Sequence, residues 1–319
     1  MKLIIIILSV IAVALSVFIL FESWFYKINE GLNDNQPRQL GNVVSSYFFH
    51  LVKSILKKKD FNVSDTPGTL LDSEKEKDFI KHFPKHLPYK YDDIYDKLLS
   101  AGISSQYFDS HSDELAMWTI NDKETETIWI IIKPIVQSIL DDAFQKSDLV
   151  KTVNVPVIHF RCADVPFARH FVYHFQKYAF YKDALKDISS KITKFNSVQI
   201  SYCNDHNSSE ENKTSCDIYI KSLCDYLLSI GYDSTIKCQS SLDDFATLYY
   251  APAVISTGSS FSFMSGFFGK GIFISAGHQN EGEVQAESVG EWLYKGYNVM
   301  HSEISDYHDT ANVIKKLYE

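Results

Sequence analysis

Two segments of the chain bring together side chains suited to holding phosphate. The first is His159-Phe160-Arg161-Cys162-Ala163-Asp164, at the end of an apolar run. Arg161 offers a planar guanidinium that grips two phosphate oxygens at once and keeps its proton. That suits a diphosphate leaving group, whose negative charge grows as the bond to a sugar breaks. His159 lies two residues earlier, so on a strand it points to the same face as Arg161. It could orient the guanidinium or donate to phosphate or sugar. Asp164 is a candidate base or orienting group. The plainer alternatives are a satisfied buried histidine and an Arg161–Asp164 pair that only closes the loop.

The second segment is Ser256-Thr257-Gly258-Ser259-Ser260-Phe261-Ser262, again behind an apolar run. Small residues let backbone N–H groups approach an anion, and a helix opening behind them adds its positive dipole end. Ser256, Thr257, Ser259 and Ser260 supply hydroxyls as well. A plain helix capped by Ser259 or Ser260 is the alternative. Asp243-Asp244 opens the preceding helical pattern. It reads either as favourable first-turn charge or as carboxylates for a ribose hydroxyl or a base edge. At the carboxyl ends of parallel strands, the two loops together suggest a pyrophosphate site.

Such loops need a parallel sheet to carry them. Apolar runs at Val153–Phe160, Ser197–Tyr202, Thr235–Cys238, Ala253–Ser256 and Gly271–Ser275 read as strands. Helical patterns at Ala168–Ile188, Cys216–Ile230, Leu242–Tyr250, Ser260–Phe268 and His308–Tyr318 separate or follow them. The alternation predicts βαβ units and a doubly wound sheet over residues 151–319. Residues 28–150 read as a stem and a second α/β lobe with weaker markings. Helices are expected from Gly41-Asn42 to Leu56 and from Glu124 to Phe144, the latter kinked at Pro134.

The 319 residues are 45% hydrophobic, ample for a packed core, and the net charge is −9. Without a basic stripe beyond Lys57-Lys58-Lys59, a nucleic-acid partner is not expected. Residues 3–21 form an apolar run long enough for a bilayer core of about 30 Å. The run continues past the Ala12-Val13-Ala14 cleavage-like triplet. That favours an uncleaved signal anchor within residues 1–27 over a cleaved signal peptide. Asn62, Asn207 and Asn212 open glycosylation triplets, two of them in one polar stretch, which favours a luminal body. Five cysteines allow Cys203–Cys216 and Cys224–Cys238 bridges with Cys162 free, or five ordinary buried thiols. His170 and His174 sit four apart without an HExxH interior, so packing or surface placement is expected rather than metal binding. No Walker A, GxSxG or GxGxxG pattern is present.

His159-Phe160-Arg161-Cys162-Ala163-Asp164 resembles the HxRxxD-type motif of the inverting GT-B fucosyltransferase superfamily, the α-1,2/α-1,6-fucosyltransferase-like enzymes. The segment from Asp243-Asp244-Phe245 through Val254-Ile255-Ser256-Thr257-Gly258-Ser259-Ser260-Phe261-Ser262 is similar to that superfamily's later donor motif. Leu40-Gly41-Asn42 resembles its amino-terminal Gly-Asn turn. Cys162-Ala163 stands where Arg-Gly is more usual, and Phe263-Met264 where a Trp-rich sequence is.

The resemblance implies two Rossmann-like lobes facing a cleft, with acceptor on the amino side and GDP-fucose on the carboxyl side. It implies that Arg161 holds the donor β-phosphate and that Ser259, Ser260 and Phe261 line the phosphate and sugar pocket. Asp243 or Asp244 would contact the nucleoside, and no metal would be needed. The expected protein is a single-pass type II membrane glycosyltransferase facing the Golgi or ER lumen, with a glycan or glycoprotein acceptor. The alternatives are a non-catalytic, membrane-anchored glycan- or nucleotide-binding protein of the same fold, and a transferase using another nucleotide sugar.

Overall fold

The computed structural model describes residues 39–65, 71, 73–107, 123–162, 175–203, 209–276, 293–294, 298–299 and 309–318. Asp164, His170, His174 and Asn207 lie outside the described residues, as does the apolar run 3–21. Among the described residues, no helix is long and apolar enough to cross a membrane.

The amino-terminal half contributes α1 (Leu40–Leu56), α2 (Glu74–Ile80), α3 (Asp92–Ser100) and α4 (Lys123–Lys146). β1 (Phe61–Asn62) and β2 (His86–Leu87) add one antiparallel pair. α1 is buried around most of its circumference, Ser45 and Ser46 included, so it is a central helix rather than a surface one. α4 runs unbroken through Pro134. Among the described residues this half is a helical layer, where the sequence predicts a second α/β lobe. The physical reason is α1: apolar residues on every side need helices around them, not one sheet face.

The carboxyl-terminal half follows the predicted alternation. β3 (Val157–His159) leads to β4 (Phe175–Gln176), α5 (Tyr178–Lys191), β5 (Ser197–Ser201), α6 (Glu210–Ser229), β6 (Asp233–Lys237), α7 (Ser241–Tyr250) and β7 (Ala253–Ser256). A short helix α8 (Ser260–Ser262) continues as a π-helical turn (Phe263–Phe267) into β8 (Ile272–Ala276). Then come β9 (Leu293–Tyr294), β10 (Asn298–Val299) and α9 (Thr310–Tyr318). Residues 168–174 of the helix expected from Ala168 lie outside the described residues; Phe175-Gln176 pairs antiparallel with β10, and a helix runs from Tyr178.

Six strands form one all-parallel sheet in the order β6-β5-β3-β7-β8-β9. Counted along the sheet's own chain order, that is 3-2-1-4-5-6, the Rossmann arrangement. The chain starts in the middle at β3 and builds outward to one side. It then crosses to β7 and builds to the other. In open parallel sheets the reversal of strand order, here between β3 and β7, is where ligand crevices form at the carboxyl ends of the strands.

The strand register shows how the core stops and the site begins. One rung aligns Ile236, Ile200, Ile158, Ile255 and Ile274 across five strands. The next rung aligns Lys237, Ser201, His159, Ser256 and Ser275. Successive residues of a strand face opposite sides. Ile200, Ile158, Ile255 and Ile274 of the isoleucine rung therefore face α5, α6 and α9, in the core cluster with Tyr219, Leu223 and Leu185, while Ile236 at the sheet edge is exposed. The polar rung lies on the opposite side, shared with Val157, Val254 and Phe273, where α1, α4 and α7 pack.

That second core runs without a break from α1 to Phe273 and crosses the expected boundary near residue 150. Polar ties reinforce it. Gln137 Nε2 donates to the Gly269 carbonyl at 3.0 Å, and Tyr249 donates to Asp141 at 2.9 Å. Lys270 meets Asp141 at 2.6 Å, and Ser241 donates to the buried Glu76.

Two disulfides clamp the carboxyl side of the sheet. They join Cys162 to Cys216 and Cys203 to Cys238, and Cys224 is free. The predicted Cys203–Cys216 and Cys224–Cys238 pairs are thus corrected. Cys216 lies buried within α6, facing β3, while Cys203 and Cys238 follow the neighbouring strands β5 and β6. Two disulfides indicate an oxidising, extracytoplasmic compartment.

Candidate functional site

The site grows from the crossover of β3 and β7. His159 and Ser256 are register partners on the last rung of the two strands. Beyond them, the Thr257 N–H donates to the His159 carbonyl at 3.4 Å, and the Arg161 N–H donates to Thr257 Oγ1 at 3.2 Å. The two loops are therefore stitched side by side rather than merely adjacent. The Cys162–Cys216 bridge fixes the residue after Arg161 to α6.

The serine-rich loop is ordered by its own hydroxyls. Gly258 has φ 95°, a left-handed conformation that a side chain disfavours, and this lets the chain turn sharply out of β7. The Gly258 N–H donates to Ser256 Oγ at 3.0 Å. Ser256 Oγ lies 2.7 Å from Ser262 Oγ, which is 2.9 Å from Ser259 Oγ. Ser259 caps α8 by accepting from the Ser262 N–H at 3.1 Å. Ser256 and Ser262 are wholly buried.

The third motif joins them from far away in sequence. Ser260 Oγ donates to Asn42 Oδ1 at 2.6 Å, tying α8 to the first turn of α1. A Cβ on Gly41 would sit 2.6 Å from both the nitrogen and the Cα of Phe261. Only glycine permits that approach of two backbones. Leu40-Gly41-Asn42 thus meets the Ser259-Ser260-Phe261 turn directly.

The His159 ring stacks on Phe261, with centroids 5.5 Å apart at 29°. The residue is partly exposed, yet its Nδ1 is sealed from solvent and has no hydrogen-bond partner among the described residues. Burial, aided by the charge of Arg161, pushes its pKa down to about 4. His159 is therefore neutral at physiological pH, and too weak a base to serve as a general base there. Phe261 also packs edge-on against Phe245 at 5.3 Å, so it supports the loop as well as facing His159.

The two aspartates of α7 are differently placed. Asp243 pairs with Lys151 at 2.7 Å and accepts from Ser240 Oγ at 2.6 Å, while its own N–H donates to Ser240 Oγ at 3.2 Å. These two bonds form a reciprocal cap. The hydrogen bonds from Lys151 and Ser240 lower the Asp243 pKa. Asp244 is buried, accepts from Gln239 Nε2 at 2.8 Å and also bonds Ser201, on the polar rung. Burial raises its pKa. Asp244 thus belongs to the network beneath the site, and Asp243 to the helix cap.

Of the glycosylation triplets, Asn62 sits in β1 with Oδ1 2.9 Å from His86 Nδ1. Asn212 lies in the first turn of α6 rather than in a loop, and it is buried, its Oδ1 without a hydrogen-bond partner among the described residues. Ser209, the last residue of the Asn207 triplet, caps the same helix.

Sequence reasoning missed the isoleucine-to-polar step shared by five strands. It is visible as Ile158-His159, Ile200-Ser201, Ile236-Lys237, Ile255-Ser256 and Ile274-Ser275. Among the described residues, no group of three or more His, Cys, Asp or Glu is placed to hold a metal ion. Compared with family models, curated proteins and solved structures, the chain matches none.

Proposed function

We propose that the chain is an inverting glycosyltransferase of GT-B-like kind that transfers fucose from GDP-fucose to a glycan or glycoprotein hydroxyl. Arg161 and the Ser256–Ser262 loop lie at the carboxyl ends of β3 and β7, on either side of the crossover in a 3-2-1-4-5-6 sheet. That observation carries the reading, because open parallel sheets bind nucleotides at this point. The helical layer bearing Gly41-Asn42 would then form the acceptor side.

In this reading the acceptor oxygen attacks the anomeric carbon as the bond to the diphosphate oxygen breaks, inverting the centre. Arg161 takes up the growing negative charge on the leaving diphosphate. The acceptor's proton passes to a base, for which Asp164 is the candidate. His159, neutral and stacked on Phe261, positions rather than protonates. An amino-terminal anchor with a luminal body is part of the proposal, and the two disulfides support the luminal side.

The test is a panel of nucleotide sugars offered to the purified full chain with a glycan acceptor, scoring diphosphate release and thermal shift together. Acceptor-dependent release of GDP from GDP-fucose is expected. Release from a different donor would leave a transferase of other specificity. Binding without turnover across the whole panel would overturn the enzyme in favour of a binding protein.

A further inference from the structure

The outer edge of the sheet at β6 is open and self-complementary. Among the described residues β6 pairs only with β5, and its residues Asp233, Thr235, Ile236 and Lys237 are exposed. The Asp233 N–H donates inward to the Asn196 carbonyl at 2.9 Å, and the Lys237 carbonyl accepts inward from Tyr202 at 3.1 Å. Backbone groups alternate sides along a strand. Ser234 and Ile236 therefore turn their N–H and C=O groups outward. The Cys203–Cys238 disulfide fastens the end of β6 to the end of β5, which holds this edge in register.

We propose that β6 pairs antiparallel with β6 of a second copy of the chain, about a two-fold axis at Thr235, joining two sheets into one. Three features of the sequence Asp233-Ser234-Thr235-Ile236-Lys237 agree with that axis. First, Ser234 falls opposite Ile236 of the other copy, and these are the residues whose backbone groups point outward. Each such pair exchanges two hydrogen bonds, and the two-fold axis makes two pairs. Second, Asp233 falls opposite Lys237 of the other copy in a position without ladder hydrogen bonds, where facing side chains come closest. Neither residue has an ion-pair partner among the described residues. Third, Ile236 is 47% exposed at the end of the isoleucine rung. It would lie diagonal to its own copy across the axis, within side-chain reach. A one-residue slip in pairing would put Asp233 opposite Ile236 and lose all three.

The same charges could instead guard the edge against pairing, as charged edge strands often do. The experiment separates the two roles. Full-length chain, purified under non-reducing conditions, is examined by sedimentation and by cysteine trapping. Thr235→Cys should form a disulfide-linked dimer, because this residue faces itself across the axis, while Asp233→Cys alone should not. Asp233→Lys places like charges opposite each other at both pairs and should weaken dimerisation by roughly tenfold. The double change Asp233→Lys with Lys237→Asp should restore it. Because these side chains are exposed, each variant should keep the thermal midpoint of the parent. A wild-type chain that stays monomeric, a Thr235→Cys chain that fails to cross-link, or an Asp233→Lys dimer as tight as wild type would each overturn the proposal.

Discussion

The two loops at the crossover are built in opposite ways. The loop after β7 directs its polar groups to itself and to α1: Ser256, Ser259 and Ser262 bond one another, and Ser260 bonds Asn42. The loop after β3 is held from outside, through its backbone to Thr257 and by a disulfide to α6. Among the described residues, it leaves the His159 Nδ1 without a hydrogen-bond partner. The first loop is a scaffold. The second carries the groups available for chemistry. A rigid support behind the residues that do the chemistry is what keeps a site preorganised.

Arg161→Ala should produce the largest effect. Loss of the charge that meets the diphosphate should lower transfer by about 10²–10³-fold, on the scale of removing one charge-stabilising donor. The stitch between the loops should survive, because it uses the backbone N–H of Arg161, which alanine keeps. Comparable losses of stability and turnover would make Arg161 part of the scaffold instead.

The next effect is acid sensitivity from His159. Its folded pKa, about 4, lies below the ordinary value of 6.5. The unfolded chain therefore takes up a proton first as pH falls. The stabilisation is complete above pH 6.5 and is lost between 6.5 and about 4, by up to ~3 kcal/mol. Urea titrations at pH 7 and pH 4.5 should show a smaller difference for His159→Asn than for wild type. Equal differences would mean that the imidazole is not held neutral.

Gly41→Ala addresses the scaffold side. A Cβ would press on the Phe261 backbone, so stability should fall by roughly 1–3 kcal/mol as the two helix starts separate. Unchanged stability would remove the close approach of α1 and α8 from the account. Ser259→Ala should be mildest, costing ~1 kcal/mol for a lost cap. If turnover fell far more than stability, Ser259 would move from the scaffold to the chemical side of the comparison.

Much of the carboxyl-terminal half was legible because its signals are local. Ala253–Ser256 is both the predicted strand and the observed one, and Ser197 and Leu242 lie at or beside the observed element starts. The Ser259 cap was readable as a residue type followed by a helical pattern. What stayed hidden depends on distant contacts. Cys162 pairs with Cys216 because β3 and α6 pack together, and spacing along the chain does not encode that. Asn212 sat in a polar stretch that reads as a loop, yet Ser209 starts a helix there and buries it. The contact of Gly41 with Phe261 joins residues more than two hundred positions apart, so each motif looked isolated. The amino half was less legible because its apolar residues mark burial without naming the layer they pack against.

The central claim is that a diphosphate binds between these loops through Arg161. Calorimetric titration of GDP and of guanosine into wild type and Arg161→Ala tests it most directly. The account predicts that wild type binds GDP far more tightly than guanosine, and that Arg161→Ala loses this preference while keeping its thermal midpoint. Equal affinity for the two ligands, or a preference that survives Arg161→Ala, would contradict it.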